Sequence, residues 1–173
     1  SIPVLTIIVS KKKNNISDEI KGVKAITMVD NRWSRPDIKT TQLLPNVLAK
    51  TYANKKNAYE GIFIDHEGYV TEGSSSNIWI INKNNEILTR EIDGKILSGI
   101  TRKTISQFAK NNNFKMLEKK FTKDEMLNSR EVFLTSASSF VTPIIEIDNI
   151  KIGNGIIGKT SIELRNLYFK NFN

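Results

Sequence analysis

Residues 69–81 constrain the fold more than any other part of the chain. They read Y-V-T-E-G-S-S-S-N-I-W-I-I, and the residues at 70 and 78–81 predict two strands, because β-branched and aromatic side chains suit a pleated, half-buried surface. Gly73 lets the backbone turn directly after Glu72. A carboxylate fixed at a strand end is costly unless a cation or a hydrogen-bond donor meets it. A heterocycle whose ring nitrogen becomes protonated would be such a partner.

The same letters have a simpler interpretation. Gly-Ser-Ser-Ser-Asn is typical of a turn, and a glutamate beside a turn is usually solvated. On this alternative, residues 69–81 form an ordinary hairpin whose glutamate is solvated.

The composition restricts the chemistry available to the chain. With 173 residues and 39% hydrophobic content, one domain with one core is expected. There is no cysteine, and the single histidine, His66, is predicted to be an exposed turn residue, so we expect no metal site. The apolar run 4–9 is too short to span a bilayer, and the start has no signal-peptide pattern, which together predict a soluble cytoplasmic protein.

The net charge of +8 raises nucleic-acid binding as a possibility. The basic residues, however, form short scattered clusters at 11–13, 55–56 and 119–120, without an aromatic stacking platform. We therefore expect no nucleic-acid partner.

Periodicity and turn residues divide the rest of the chain into strands and helices. Further strands are predicted at 4–9, 22–29, 58–65, 86–89, 115–120, 131–135 and 142–147. A capping box starting at Thr122 opens a short helix, and a glycine-bearing turn at 154–158 leads into a terminal helix. The core stripe predicted for that terminal helix consists of Leu164, Leu167, Tyr168 and Phe172.

Residues 30–44 place a lysine just before another helix. Pro36 disfavours helix at Arg35, so Lys39 should lie on an extended segment or turn. Thr40 or Thr41 is predicted to cap the helix, whose core-facing stripe is expected at Leu43, Leu44, Val47 and Leu48. The ordinary interpretation of Lys39 is a surface lysine; the functional alternative is an amine that attacks an aldehyde.

Gly99 opens a helix whose apolar positions include Ile100, Ile105 and Phe108. The unpaired N–H groups of a helix start suit a phosphate. The alternative is an ordinary helix capped by Ser98.

Four segments resemble one enzyme family. V-T-E-G-S-S-S-N resembles the signature of the class IV (fold type IV) pyridoxal-phosphate aminotransferases. R-W-x-R-x-D-I-K-T-x-x-L-L-P-N-x-x-A-K is similar to the cofactor-lysine segment of the D-amino-acid aminotransferases. Branched-chain enzymes usually carry a glycine- and tyrosine-rich run where this chain has residues 40–44. L-x-G-I-T-R and F-L-T-S-A-S-S-F-V-T-P resemble the two phosphate-binding segments of the family.

The resemblance implies an α+β fold, with a barrel-like, mostly β large domain and flanking helices. It also implies pyridoxal phosphate as cofactor, with Lys39 as the catalytic Schiff-base lysine and Glu72 paired with the protonated ring nitrogen. The other implied contacts are Leu97 on the ring, Ile100, Thr101, Ser136 and Ala137 on the phosphate, and Arg32 nearby. The family often has threonine where Ala137 stands, so only its backbone N–H is expected to contribute.

The implied reaction is transamination between a D-amino acid and a 2-oxo acid, in a homodimer. The small N-terminal domain of the family has no counterpart here, so residues 1–173 are predicted to be the large domain of a truncated, proteolysed or split protein. Exposed apolar surface is then expected where the small domain would dock. Three alternatives remain: branched-chain transamination, aminodeoxychorismate lyase chemistry, and a non-catalytic remnant that serves as a binding domain.

Overall fold

A computed structural model of the chain describes residues 4–9 and 21–171. The strands are β1 (Val23–Val29), β2 (Glu60–Ile64), β3 (Val70–Gly73), β4 (Asn77–Ile81), β5 (Ile87–Thr89), β6 (Met116–Glu118), β7 (Glu131–Ser136), β8 (Phe140–Ile147) and β9 (Ile150–Lys151). The helices are α1 (Leu44–Lys55), α2 (Ile100–Asn111), α3 (Lys123–Leu127) and α4 (Lys159–Lys170). Within these described ranges no helix has the length and apolar character needed to cross a membrane.

The strands of the described part form one mixed sheet. Their order is β3-β2-β1-β8-β7-β4-β5-β6, with β9 paired to β8. The sheet curls, because a bridge between Tyr69 and Thr122 joins the segment entering β3 to the segment that follows β6. The Val70 N–H also donates to the Phe121 carbonyl at 3.0 Å. The predicted α+β fold with a barrel-like sheet and flanking helices is confirmed as a half-barrel with four helices.

Both faces of the central strands are covered. In β4, Ile78 and Ile80 belong to a cluster that includes Met126 near the end of α3, whereas Trp79 and Ile81 pack in a second cluster with residues of α2 and α4. Because successive side chains point to opposite faces, a strand buried on both sides reads as a continuous apolar run. This double burial explains the sequence I-W-I-I.

The ordinary-hairpin alternative for residues 69–81 is wrong. β3 pairs with β2, whereas β4 lies between β5 and β7. Only a tight turn connects β3 and β4, in which the Gly73 N–H donates to the Ser76 carbonyl at 2.7 Å. The turn therefore joins two separated parts of one curved sheet, and Glu72 lies at that junction.

Two predictions from apolar runs are wrong. Residues 4–9 form no strand, and the apolar side chains among them are at least 74% exposed. The predicted core stripe of α1 is also exposed: Leu43, Leu44, Val47 and Leu48. The helix instead packs on β2 through Ala49 and Ala53, small residues that permit close approach to Gly61.

The helix ends differ in how well they match the sequence. Neither Thr40 nor Thr41 caps α1, because the N-cap is Leu43 and no side chain bonds there. The capping box of α3 is confirmed, with the Glu125 N–H donating to Thr122 Oγ1 at 3.1 Å and the Thr122 N–H donating to the Glu125 carboxylate at 2.7 Å. In α4, Leu164 is buried and Leu167 and Tyr168 are partly buried; Phe172 lies outside the described residues.

Replacing Thr122 should destabilise the fold through α3. We expect Thr122→Ala to lower the free energy of unfolding by about 1 kcal/mol, the usual loss for an N-cap hydroxyl. Ser98→Ala is the matched control, since Ser98 precedes α2 without capping it, and should change stability by only about 0.5 kcal/mol or less. Chemical denaturation measures both values, and equal losses in the two variants would contradict the assignment.

Candidate active site

One cavity of about 680 Å³ opens where β3, β4 and β7 meet the start of α2 and the segment preceding α1. Its volume falls within the usual range for small-molecule sites. The structure brings all eight residues predicted for the site into its lining: Arg32, Lys39, Glu72, Leu97, Ile100, Thr101, Ser136 and Ala137.

Lys39 contributes the amine of the site. It lies outside α1, as the effect of Pro36 predicts, on an irregular segment between β1 and that helix. An ion pair between Arg35 and Asp37 at 2.8 Å spans the preceding turn. The lysine is exposed and lines the cavity, so an incoming ligand can reach it.

Glu72 is the buried acid of the site, at 6% exposure. One carboxylate oxygen accepts a hydrogen bond from Arg32 Nη1. The other accepts from the Leu97 N–H at 3.0 Å and from Asn77 Nδ2 at 3.2 Å. The alternative of a solvated glutamate is therefore wrong. A strand, an arginine and a turn hold this carboxylate at the cavity wall.

Arg32 is held between two acids. Its Nε and Nη2 donate to the carboxylate of Asp30 at 2.9 and 2.7 Å, while its Nη1 donates to Glu72. The face of the Phe63 ring lies 4.7 Å from the guanidinium carbon. This arrangement fixes the position of Arg32, which the sequence placed only near the site.

The three charged groups have shifted pKa values. Burial raises the pKa of Glu72 to about 7, against the opposing effects of Arg32 and the Leu97 N–H. Although burial alone would raise it, hydrogen bonds from Arg32 and its charge hold the pKa of Asp30 below the ordinary value. Near neutral pH the cluster therefore keeps Asp30 ionised and leaves Glu72 able to gain or lose a proton.

The start of α2 is an uncompensated helix N-terminus. No side chain caps it, so the alternative of a Ser98 cap is wrong. Its first turn carries no acid but two cations, Arg102 and Lys103. A Cβ at Gly99 would lie 2.4 Å from Asn77 Oδ1, so any larger residue there would displace the Asn77 side chain. The free N–H groups and the positive helix end favour an anion at this part of the cavity.

The end of β7 supplies hydroxyl groups to the same cavity. Ser136 Oγ accepts from the Ser139 N–H at 3.1 Å and lies 2.5 Å from Ser139 Oγ. Ala137 is exposed and offers no polar side chain. Thr135 also lines the cavity, and its hydroxyl accepts from Trp79 Nε1 at 2.9 Å.

Sequence reasoning missed several polar residues that support the site, among them Asn77 and Glu60. Asn77 links Glu72 to the turn before α2, because its Nδ2 also donates to the Leu97 carbonyl at 2.9 Å. Glu60, 1% exposed, accepts hydrogen bonds from Ser74 and, at 2.8 Å, from Ser76. Both serine hydroxyls therefore serve a buried acid. One sequence signal could have revealed Glu60: it directly precedes the apolar residues of β2, and an acid in a buried strand needs hydrogen-bond donors.

The arrangement combines an accessible lysine amine, a buried acid and an uncapped helix start that favours an anion. A ligand with an electrophilic carbon, a basic ring nitrogen and an anionic group would satisfy all three. Within the described ranges no group of three metal-binding side chains comes together.

The raised pKa of Glu72 makes stability depend on pH. In the unfolded chain this pKa returns to 4.5, so the stabilisation from the protonated form is complete below 4.5 and is lost as the pH rises to about 7. We expect the unfolding temperature to fall between about pH 5 and pH 7.5 and Glu72→Gln to flatten this slope. Glu67→Gln, at an exposed turn, is the control and should keep the slope. Thermal melts across pH test this, and an unchanged slope in Glu72→Gln would contradict it.

Comparisons with a family model and with known proteins all point to one enzyme family. Residues 2–147 match the sequence model of the amino-transferase class IV family. The chain is 45% identical over 141 residues to a D-alanine aminotransferase of Bacillus licheniformis, covering 82% of this chain and 49% of that enzyme. It is 40% identical over 164 residues to a D-alanine aminotransferase of Staphylococcus haemolyticus, covering 94% and 57%. The chain thus spans only about half the length of these relatives.

Solved structures agree with this result. The T.th. branched-chain amino acid aminotransferase, complexed with N-(5'-phosphopyridoxyl)-L-glutamate, superposes with a TM-score of 0.78 at 30% identity, over 86% of this chain and 52% of that one. The branched-chain enzyme from Thermobaculum terrenum, in its PLP form, gives a TM-score of 0.79 at 26% identity, over 88% and 51%. The chain therefore belongs to the class IV aminotransferase family.

Proposed function

We propose that this chain is the cofactor-binding part of a pyridoxal-phosphate-dependent transaminase acting on a D-amino acid and a 2-oxo acid. The observation that carries the proposal is the position of Glu72. Its carboxylate binds the Leu97 N–H, and the uncapped α2 begins three residues later, in the cavity that Lys39 lines.

The residues present fit pyridoxal phosphate. Glu72 offers an acceptor for the ring nitrogen, and the start of α2 offers N–H groups to the phosphate at Ile100 and Thr101. The end of β7 adds the Ser136 hydroxyl and the backbone at Ala137. Lys39 offers the amine for the aldehyde. The ring nitrogen, the phosphate and the aldehyde of the cofactor thus each have a partner of suitable chemistry in one cavity.

When bound, pyridoxal phosphate supplies an electron sink for the electrons of the substrate Cα–H bond. The Lys39 amine would hold the aldehyde carbon in the resting protein, and, once displaced by substrate, accept the Cα proton. Glu72 would hold the proton on the ring nitrogen, and Arg32 would keep Glu72 in place. Leu97 would pack against the ring.

We also propose a partner surface for the chain. Leu43 and Val47 line the cavity, and together with the exposed Leu44, Leu48 and Tyr52 they form an apolar face beside it. Residues 1–173 would then act as the large domain, with this face covered by a small domain like the part of the relatives that the chain does not match. The proposal includes a homodimer, as the family resemblance implies, and a cytoplasmic location, as expected from the sequence.

We favour D-amino acids over branched-chain L-amino acids as substrates, because the sequence relatives bear the name D-alanine aminotransferase. The second candidate function is branched-chain transamination, because solved structures similar in shape bear that name. Loss of the visible cofactor band on adding D-alanine supports the first function, and loss on adding L-leucine supports the second. The lyase alternative predicts neither. The remnant alternative predicts no cofactor band at all.

Lys39 is tested directly by titrating the chain with pyridoxal phosphate. We expect a visible absorbance band that borohydride fixes onto Lys39, found by peptide mass spectrometry, and that is absent in Lys39→Ala. Lys50→Ala removes the other lysine lining the cavity and should keep the band. A folded wild-type chain without a band would contradict the proposal. A band that persists in Lys39→Ala would contradict the assignment of the lysine.

The phosphate end is tested by comparing pyridoxal phosphate with pyridoxal, which lacks the phosphate. Thr101→Val removes a buried hydroxyl with little change in shape. It should lower the affinity for pyridoxal phosphate about tenfold and leave the affinity for pyridoxal unchanged. Thr104→Val, one turn further along α2, is the control and should change neither affinity. Equal losses for both ligands would show that Thr101 does not contact the phosphate.

A further inference from the structure

Asp30 lies immediately behind the site rather than in it. It follows β1 and is not among the residues lining the cavity. Its backbone N–H donates to the Ile64 carbonyl at 2.8 Å, which fixes the residue against β2. Its side chain is 12% exposed. Nothing in the family resemblance gives this aspartate a role.

Asp30 binds the edge of the Arg32 guanidinium that carries Nε and Nη2. Nε and Nη2 form a bidentate pair with the Asp30 carboxylate, and the backbone N–H of Arg32 adds a third bond at 3.2 Å. Thr71, beside Glu72 in β3, donates its hydroxyl to the same carboxylate at 2.7 Å. Bidentate contacts fix both position and charge. Glu72 receives a single hydrogen bond from Arg32, through Nη1, so the guanidinium is shared unequally between the two acids.

The cluster of Asp30, Arg32 and Glu72 is one positive charge short, because it holds two acids and one guanidinium. With both carboxylates ionised, Asp30 and Glu72 contribute two negative charges and Arg32 one positive charge. A buried group of this kind is stabilised by one further proton or by one cation. Without Asp30, the remaining Arg32–Glu72 pair would already be neutral and would have no use for a cationic partner.

We propose that Asp30 is a positioning residue of the site. By holding Arg32 from behind, it directs one guanidinium N–H at Glu72 and supplies the second negative charge that makes the cluster complementary to a cationic ring N–H group. The inference rests on the proposed function for the identity of that ring. The other charged side chains lining the cavity within the described residues are Lys39, Lys50 and Arg102. Lys50 and Arg102 are paired with Glu60 and Glu118.

The first test uses the cofactor-free chain. The side-chain carboxyl of Glu72 is followed by ¹³C NMR during a pH titration, with its resonance assigned by its absence in Glu72→Gln. Asp30→Asn keeps the shape and removes the charge, so the pKa of Glu72 should fall by about one pH unit. Asp37→Asn is the matched control, since Asp37 pairs with Arg35 at the surface, and should leave the Glu72 titration unchanged.

An unchanged or raised Glu72 titration in folded Asp30→Asn would overturn the proposal. If that variant does not fold, Asp30→Ser also removes the charge and leaves room for water, and the same outcomes apply. Because this experiment contains no cofactor, it judges Asp30 even if the proposed function fails.

The second test uses the chain loaded with pyridoxal phosphate labelled with ¹⁵N in the ring. The nitrogen chemical shift separates protonated from unprotonated rings. We expect a protonated ring at pH 8 in the wild type and in Asp37→Asn, and an unprotonated ring in Asp30→Asn. An equally protonated ring in all three would overturn the role of Asp30. A wild-type chain that takes up no cofactor would contradict the proposed function instead.

Discussion

Burial of the Glu72 carboxylate ties together stretches of chain that are distant in sequence. A carboxylate at 6% exposure requires donors, and they come from Arg32 after β1, Asn77 at the start of β4 and Leu97 before α2. Each donor is held in place by the chain segment that carries it. The turn after Gly73 brings Asn77 back to Glu72, and the Leu97 N–H anchors the segment that opens α2. One desolvated acid thus organises the cavity.

That the site residues would lie together around one cavity was largely predictable from the sequence; the roles given to them stay predictions. Lys39 was placed outside a helix because Pro36 restricts the residue before it, and the structure agrees. Glu72 beside Gly73 indicated a fixed acid at a strand end. The resemblance to known segments supplied Ile100, Thr101, Ser136 and Ala137, which local pattern alone did not distinguish from an ordinary capped helix and a polar turn. All of these residues line one cavity.

The errors have a common physical origin. Apolar spacing shows which side chains avoid water, but it does not show what covers them. The stripe at Leu43, Leu44, Val47 and Leu48 has the spacing of a core, yet small residues do the packing of α1. The supporting polar residues were missed because their role depends on contacts that the sequence does not display. Asp30 and Glu60 act through partners 2 to 41 positions away, and no short pattern reports such contacts.

The way α1 is attached has a consequence for ligand affinity. The helix contacts the sheet through Ala49 and Ala53, while Leu43 and Val47 belong both to the cavity wall and to the exposed face. A body that covers this face and a ligand that fills the cavity therefore act on the same helix. Where one of them changes the affinity of the other, thermodynamic linkage makes the reverse change equal in size. The cavity wall is thus the place where covering this face and binding a ligand can be coupled.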